Sequence, residues 1–143
     1  MRYRRANISG ASYFFTVNLA DRNSRLLIDH VDELRDVVAK VKRRHPFHID
    51  AMVIMPEHLH TIFTLPPDDA DYSMRWGLIK AGFSCALPIA ETVSASRKSK
   101  GERGIWQRRF WEHLIRDDRD FERHVEYIHY NPVKHGHVTN PVD

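Results

Sequence analysis

Apolar positions along the chain recur with two spacings, about two residues in some stretches and about 3.6 in others, and the switches between them mark out the elements. Ser12 to Leu19 reads Ser-Tyr-Phe-Phe-Thr-Val-Asn-Leu, aromatic and β-branched, and predicts a first strand. Val31, Leu34, Val37, Val38 and Val41 then fall on one helical stripe. Asp29 is its expected cap, Lys42, Arg43 and Arg44 suit the negative end of its dipole, and Pro46 stops it. Phe47 to Met55 and His58 to Leu65 predict two strands joined by the short turn Pro56-Glu57. A second helix carries Trp76, Ile79, Phe83 and Leu87 on one face, with Ser73 as its expected cap. Gly77 and Gly82 weaken that helix by about 1 kcal/mol each relative to alanine. Trp106 to Arg116 contains a fourth strand. Asp117 or Asp118 starts a third helix, which buries Phe121, Val125 and Ile128 and is expected to end near Asn131, before Pro132.

The order strand–helix–strand–strand–helix–strand–helix predicts an α+β fold: a ferredoxin-like βαββαβ sandwich with an antiparallel sheet and an appended C-terminal helix. No internal repeat or boundary interrupts it, so residues 1–143 are expected to form a single domain. Many functions use this architecture, so the chemistry has to come from particular residues.

Composition narrows the class. With 42% hydrophobic and 29% charged residues, the chain has the makings of a folded domain rather than a disordered one. No apolar run approaches the roughly 18 residues of a membrane span, and the basic start leads into no signal-peptide core. The single cysteine, Cys85, excludes an internal disulfide, suits a reducing cytoplasm and reads as a small core residue. A net charge of +3 and an isoelectric point near 9.2 are only mildly basic. The positive charge is bunched, however, at Arg2–Arg5, Lys40–Arg44, Arg97–Lys100 and Arg103–Arg109. Ser94 to Gly104, polar and glycine-containing, is expected to be a mobile basic loop. A polyanion such as nucleic acid fits this distribution, although ordinary solvated faces would produce it equally well.

Two clusters carry possible chemistry. In Pro56-Glu57-His58-Leu59-His60-Thr61, strand alternation puts His58 and His60 on one face, where imidazoles about 7 Å apart along the backbone can converge on one divalent ion. Glu57 is expected to point away and not to be a ligand. Near the C-terminus, Tyr127 and Asn131 lie four apart, stacked on one helix face. Asn131 offers a carbonyl oxygen to a metal, and Tyr127 offers a hydroxyl that such a metal could direct at a phosphodiester. Taken as residues alone, Tyr127 and Tyr130 also fit plain packing of the helix against the sheet.

Four segments together change the balance: Phe14-Phe15-Thr16-Val17-Asn18-Leu19, Met55-Pro56-Glu57-His58-Leu59-His60, Trp106-Gln107-Arg108-Arg109-Phe110-Trp111-Glu112-His113, and Tyr127-Ile128-His129-Tyr130-Asn131-Pro132-Val133-Lys134-His135-Gly136. In this order, from Arg4 to His137, the chain resembles the REP-associated tyrosine transposases, a branch of the single-tyrosine HUH (IS200-like) transposases of bacteria. The resemblance implies that His58 and His60 are the HUH pair, that Asn131 is the third metal ligand, that Mg2+ or Mn2+ is the ion, and that Tyr127 attacks. It implies a substrate of hairpin-forming repetitive extragenic palindromes with a single-stranded flank, cut and rejoined through a 5′-phosphotyrosine link. It further implies a cytoplasmic, nucleoid-associated protein acting as monomer or homodimer. Arg4, Arg5, Arg97, Lys98, Lys100, Arg103, Arg108 and Arg109 become expected DNA contacts, and the aromatic neighbours Phe110 and Trp111 suit stacking on unpaired bases. Two rivals remain at this level: a non-catalytic single-strand-binding module of the same fold, and a metal hydrolase in which water attacks.

Overall fold

In a computed structural model of the protein, which describes residues 8–88 and 104–134 (side chains of 132–134 excepted), the first strand sits inside the sheet. β1 (Ser12–Asn18) pairs antiparallel with β3 (His58–Thr64) on one side and with β4 (Trp111–Leu114) on the other. β2 (His48–Ile54) closes the far edge against β3, giving the order β2-β3-β1-β4. This is the predicted ferredoxin-like sheet. Arg4, Arg5, Arg97, Lys98, Lys100 and Arg103, with almost all of the expected basic loop 94–104, lie outside the described residues.

Both faces of the sheet are covered. A short helix α1 (Leu26–Asp29), then α2 (Val31–Arg44) and α3 (Tyr72–Ala86), lie with one face. There Tyr13, Phe15, Val17, Leu59 and Phe63 meet Leu34, Val38, Tyr72, Trp76 and Phe83 in the main core. The opposite face holds a smaller cluster, Phe14, Ile62 and Ile128, to which α4 (Asp118–Lys134) adds Phe121 and Val125. Asp117 caps α4 by accepting the Asp120 backbone N–H at 2.8 Å.

Three local expectations are corrected. Asp29 caps nothing: it ends α1, and α2 starts after His30 without a side-chain cap. The cause is Leu27, fully buried with its N–H on the Pro56 carbonyl, which ties residues 26–29 into a turn of their own. The cap of α3 is Asp71, not Ser73; its carboxylate takes the Met74 N–H at 3.0 Å, and the completely buried Tyr72 opens the helix. Pro132 does not end α4, which continues to Lys134. A proline φ suits the helix, and only two residues of α4 follow this one. Cys85, expected inside, is exposed near the C-terminal end of α3.

Candidate active site

Register decides which strand residues meet. Thr16 stands opposite His60 on β3, and Asn18 opposite His58. With period-two alternation, Thr16, Asn18, His58 and His60 therefore share the face that α4 covers. The two imidazoles lie with ring centroids 4.9 Å apart at an interplanar angle of 74°. Each is held through Nδ1. The His60 Nδ1 is 2.8 Å from the Thr16 hydroxyl, and the His58 Nδ1 is 2.8 Å from both carboxylate oxygens of Glu57. Such contacts fix the orientation of each ring. Glu57 is thus not turned away as expected. It lies before the first residue of β3, where strand alternation does not apply, and it grips His58 while lying 3.8 Å from the Arg22 guanidinium.

Helix α4 supplies the rest. Asn131, one turn beyond Tyr127, is 1% exposed, and among the described residues neither its side-chain oxygen nor its nitrogen has a hydrogen-bond partner. A buried amide without partners costs about 1–3 kcal/mol, so some group is expected to satisfy it. A divalent ion coordinated by its oxygen together with two imidazoles has that chemistry, and the residue set fits one. Tyr127 is 42% exposed, its ring edge-on to His60 at 5.1 Å and to Phe14 at 5.9 Å. Tyr130 is 57% exposed. The structure therefore gathers His58, His60 and Tyr127 on one side of the sheet. Arg108 and Arg109 are exposed just before β4.

A further cluster went unnoticed in the sequence. His113 on β4 and Asp120 and His124 on α4 offer ligand atoms within 4.8 Å of one another. The His113 Nε2 lies 2.9 Å from an Asp120 carboxylate oxygen, the Arg116 N–H donates to the same oxygen, and the His124 Nδ1 lies 2.8 Å from the Asp120 carbonyl. Burial raises the Asp120 pKa, but the Arg116 N–H and the His113 and His124 rings outweigh it and hold the carboxyl below its usual range. The rings of His113 and His124 stack at 4.6 Å. With the His113 Nε2 and the His124 Nδ1 both turned to Asp120, the cluster acts as a clamp between β4 and α4. Only the Asp-x-x-x-His spacing of Asp120 and His124 hinted at it, because His113 arrives through sheet pairing.

The two tryptophans divide. Trp106 is buried, with its indole N–H on the Lys80 carbonyl at 3.0 Å, whereas Trp111 is 58% exposed. Trp111 lines a cavity of about 470 Å³ with Phe14, Thr16, Arg123, His124 and Tyr127.

Comparison with known proteins finds relatives over nearly the whole chain. The family model described as transposase IS200 like matches residues 7–131. A REP-associated tyrosine transposase of Escherichia coli (strain K12) is 48% identical over 141 residues, covering 99% of this chain and 78% of the relative. A solved structure of a REP-associated tyrosine transposase bound to a REP hairpin superposes with a TM-score of 0.85 at 47% identity, covering 99% of this chain and 78% of that one. A crystal structure from Deinococcus radiodurans, 16% identical, shares the fold with a TM-score of 0.59 over 90% of this chain and 95% of that one.

Proposed function

The chain belongs to the IS200-like transposase family, and on that footing we propose that it cuts and rejoins single-stranded DNA beside REP-like hairpins, with Tyr127 as the nucleophile. The observation that carries this reading is the buried amide of Asn131, without a partner among the described residues, one helical turn from Tyr127 on the helix whose Tyr127 ring packs against His60.

In the proposed reaction the Tyr127 phenol oxygen attacks the scissile phosphorus. The new O–P bond replaces the bond from phosphorus to the 3′ oxygen of the departing strand. The phenolic proton ends on that 3′ oxygen, so the step consumes no water and no cofactor. The phosphotyrosine link conserves the phosphodiester, and attack by a 3′-hydroxyl reverses it. An unperturbed tyrosine, with a pKa near 10, is a weak nucleophile at neutral pH. A divalent ion, Mg2+ or Mn2+, held by His58, His60 and Asn131, would polarise the phosphoryl oxygens. The task of Glu57 and Thr16 is to hold the two rings in a fixed tautomer and direction. Phe14 and His60, stacked on one another, both meet the Tyr127 ring at a steep angle. Arg108 and Arg109, exposed beside the same sheet edge, suit phosphate contacts, and Arg4, Arg5, Arg97, Lys98, Lys100 and Arg103 are proposed to extend them.

The test is a labelled hairpin oligonucleotide with a single-stranded flank, incubated with protein and Mg2+ or Mn2+. The expected result is a denaturation-resistant protein–DNA adduct that is absent in excess chelator. Cleavage that releases a free 5′-phosphate without any adduct would mean that water attacks, and would remove Tyr127 from the role of nucleophile.

A further inference from the structure

We infer that the cavity beside Tyr127 is a nucleobase pocket, in which Trp111 stacks on the unpaired base of a nucleotide adjoining the scissile phosphate. This rests on the proposed single-strand cleavage and goes beyond it by assigning residues to substrate positioning.

The sheet register places the parts. His60, Thr16 and Trp111 form one row across β3, β1 and β4, since Thr16 is paired with His60 on one side and with Trp111 on the other. Residues in one such row project to the same face of the sheet. Trp111 is therefore two strand spacings, about 10 Å, from His60. That is the scale on which one nucleotide reaches from its phosphate to the far edge of its base. A phosphate near Tyr127 and the histidines thus leaves its neighbouring base over the indole.

The cavity suits that occupant in size and chemistry. Its volume of about 470 Å³ falls in the lower part of the range for small-ligand sites. Phe14 and Trp111 give it aromatic walls, and Arg123 brings a cation to its rim from the exposed side of α4. β4 is the edge strand, so the cavity opens sideways where a DNA strand can enter, just beyond the exposed Arg108 and Arg109. Among the described residues Trp111 is left 58% exposed, in contrast to Trp106, whose ring is buried and whose N–H is bonded. Stacking on such a ring tolerates any base, because every base has a π face. Duplex DNA cannot offer one without unstacking, so the pocket selects for an unpaired nucleotide.

The experiment uses the wild-type protein in chelator, where the DNA stays intact. Hairpins carry 2-aminopurine, or an abasic site, at each flank position in turn. The expected result is one position, next to the scissile bond, at which 2-aminopurine is quenched on binding and base removal weakens binding roughly tenfold. Trp111→Ala should remove both effects and Trp111→Phe restore most of them, with binding of a flankless hairpin unchanged. Arg123→Ala, on an exposed side chain, should weaken flank-dependent binding several-fold without touching stability. An abasic scan that is flat in the wild type, or a quench that survives Trp111→Ala, overturns the pocket. Adduct formation with metal is scored separately: an adduct with a flat scan sinks the pocket alone, whereas no adduct sinks the cleavage reading.

Discussion

On the face covered by α2 and α3, β1 presents Tyr13, Phe15 and Val17, all fully buried; on the face covered by α4 the same strand presents Phe14, Thr16 and Asn18, of which only Phe14 is buried. β3 repeats the contrast. Leu59, Thr61 and Phe63 go to the first face, and His58, His60 and Ile62 to the second. The first face is a dense aromatic assembly in which Trp76 stacks on Phe63 at 5.0 Å and meets Phe15 edge-on at 5.5 Å. The second is thin and polar, with a buried amide that has no partner among the described residues, two directed imidazoles and a half-exposed tyrosine. Stability is concentrated on one side of the sheet, which lets the other side keep polar groups that a packed core would exclude. A single strand serves both because its side chains alternate.

The sharpest break between the faces is expected from Tyr127→Phe. It should eliminate the covalent adduct completely, while the thermal midpoint and hairpin binding stay near wild type, since only an exposed hydroxyl is lost. Tyr130→Phe should lower the rate modestly at most. Mass spectrometry that places the nucleotide on Tyr130 would reassign the nucleophile.

Removal of either imidazole proposed to hold the ion comes next. His58→Ala or His60→Ala should slow metal-dependent cleavage roughly a thousandfold, as the loss of several kcal/mol of charge stabilisation requires. His113→Ala should leave the metal requirement intact and loosen α4, seen as faster amide exchange in that helix. If His113→Ala abolishes metal binding while His60→Ala spares it, the ion belongs to the His113–Asp120–His124 cluster instead.

The opposite profile is expected on the core face. Trp76→Ala should cost roughly 3–5 kcal/mol of unfolding free energy, measured by denaturant titration. The surviving folded fraction should still form the adduct. A loss of adduct per folded molecule would show that the two faces are coupled more tightly than their packing indicates.

The smallest effect concerns Asp69, far from the chemistry. Its carboxylate hydrogen-bonds the buried Arg75 guanidinium at 2.8 and 3.0 Å, and this, with the Asp71 N–H, lowers its pKa to about 2 against the burial that opposes it. A depressed carboxyl contributes stability above its unfolded value near 3.8 and loses it as pH falls towards 2. Asp69→Asn should therefore cost about 1–2 kcal/mol near neutral pH, after allowance for partial exposure, and flatten the acid limb between pH 4 and 2. An unchanged acid limb would assign the acid sensitivity to other carboxylates.

Much of this was legible in the chain. Period-two and period-3.6 stripes gave four strands and the three main helices, because burial on one face imposes those periods regardless of partner. His58 and His60 on one side of a strand, and Asn131 one turn after Tyr127, follow from the same geometry. The caps misled at two helices, because Asp29 and Ser73 each had the right chemistry but the burial of Leu27 and Tyr72 set the helix starts. Register was beyond reach: only strand pairing puts Trp111 and His60 in one row with Thr16, and brings His113 to Asp120. Gly82 carries the same lesson. In the sequence it is a weak helix residue, but a Cβ there would lie 2.7 Å from the Val37 side chain, so it allows α3 to approach α2 closely. Periodicity is a property of each segment and is written in its own residues; which segments face one another depends on long-range packing, and that the tertiary structure alone decided.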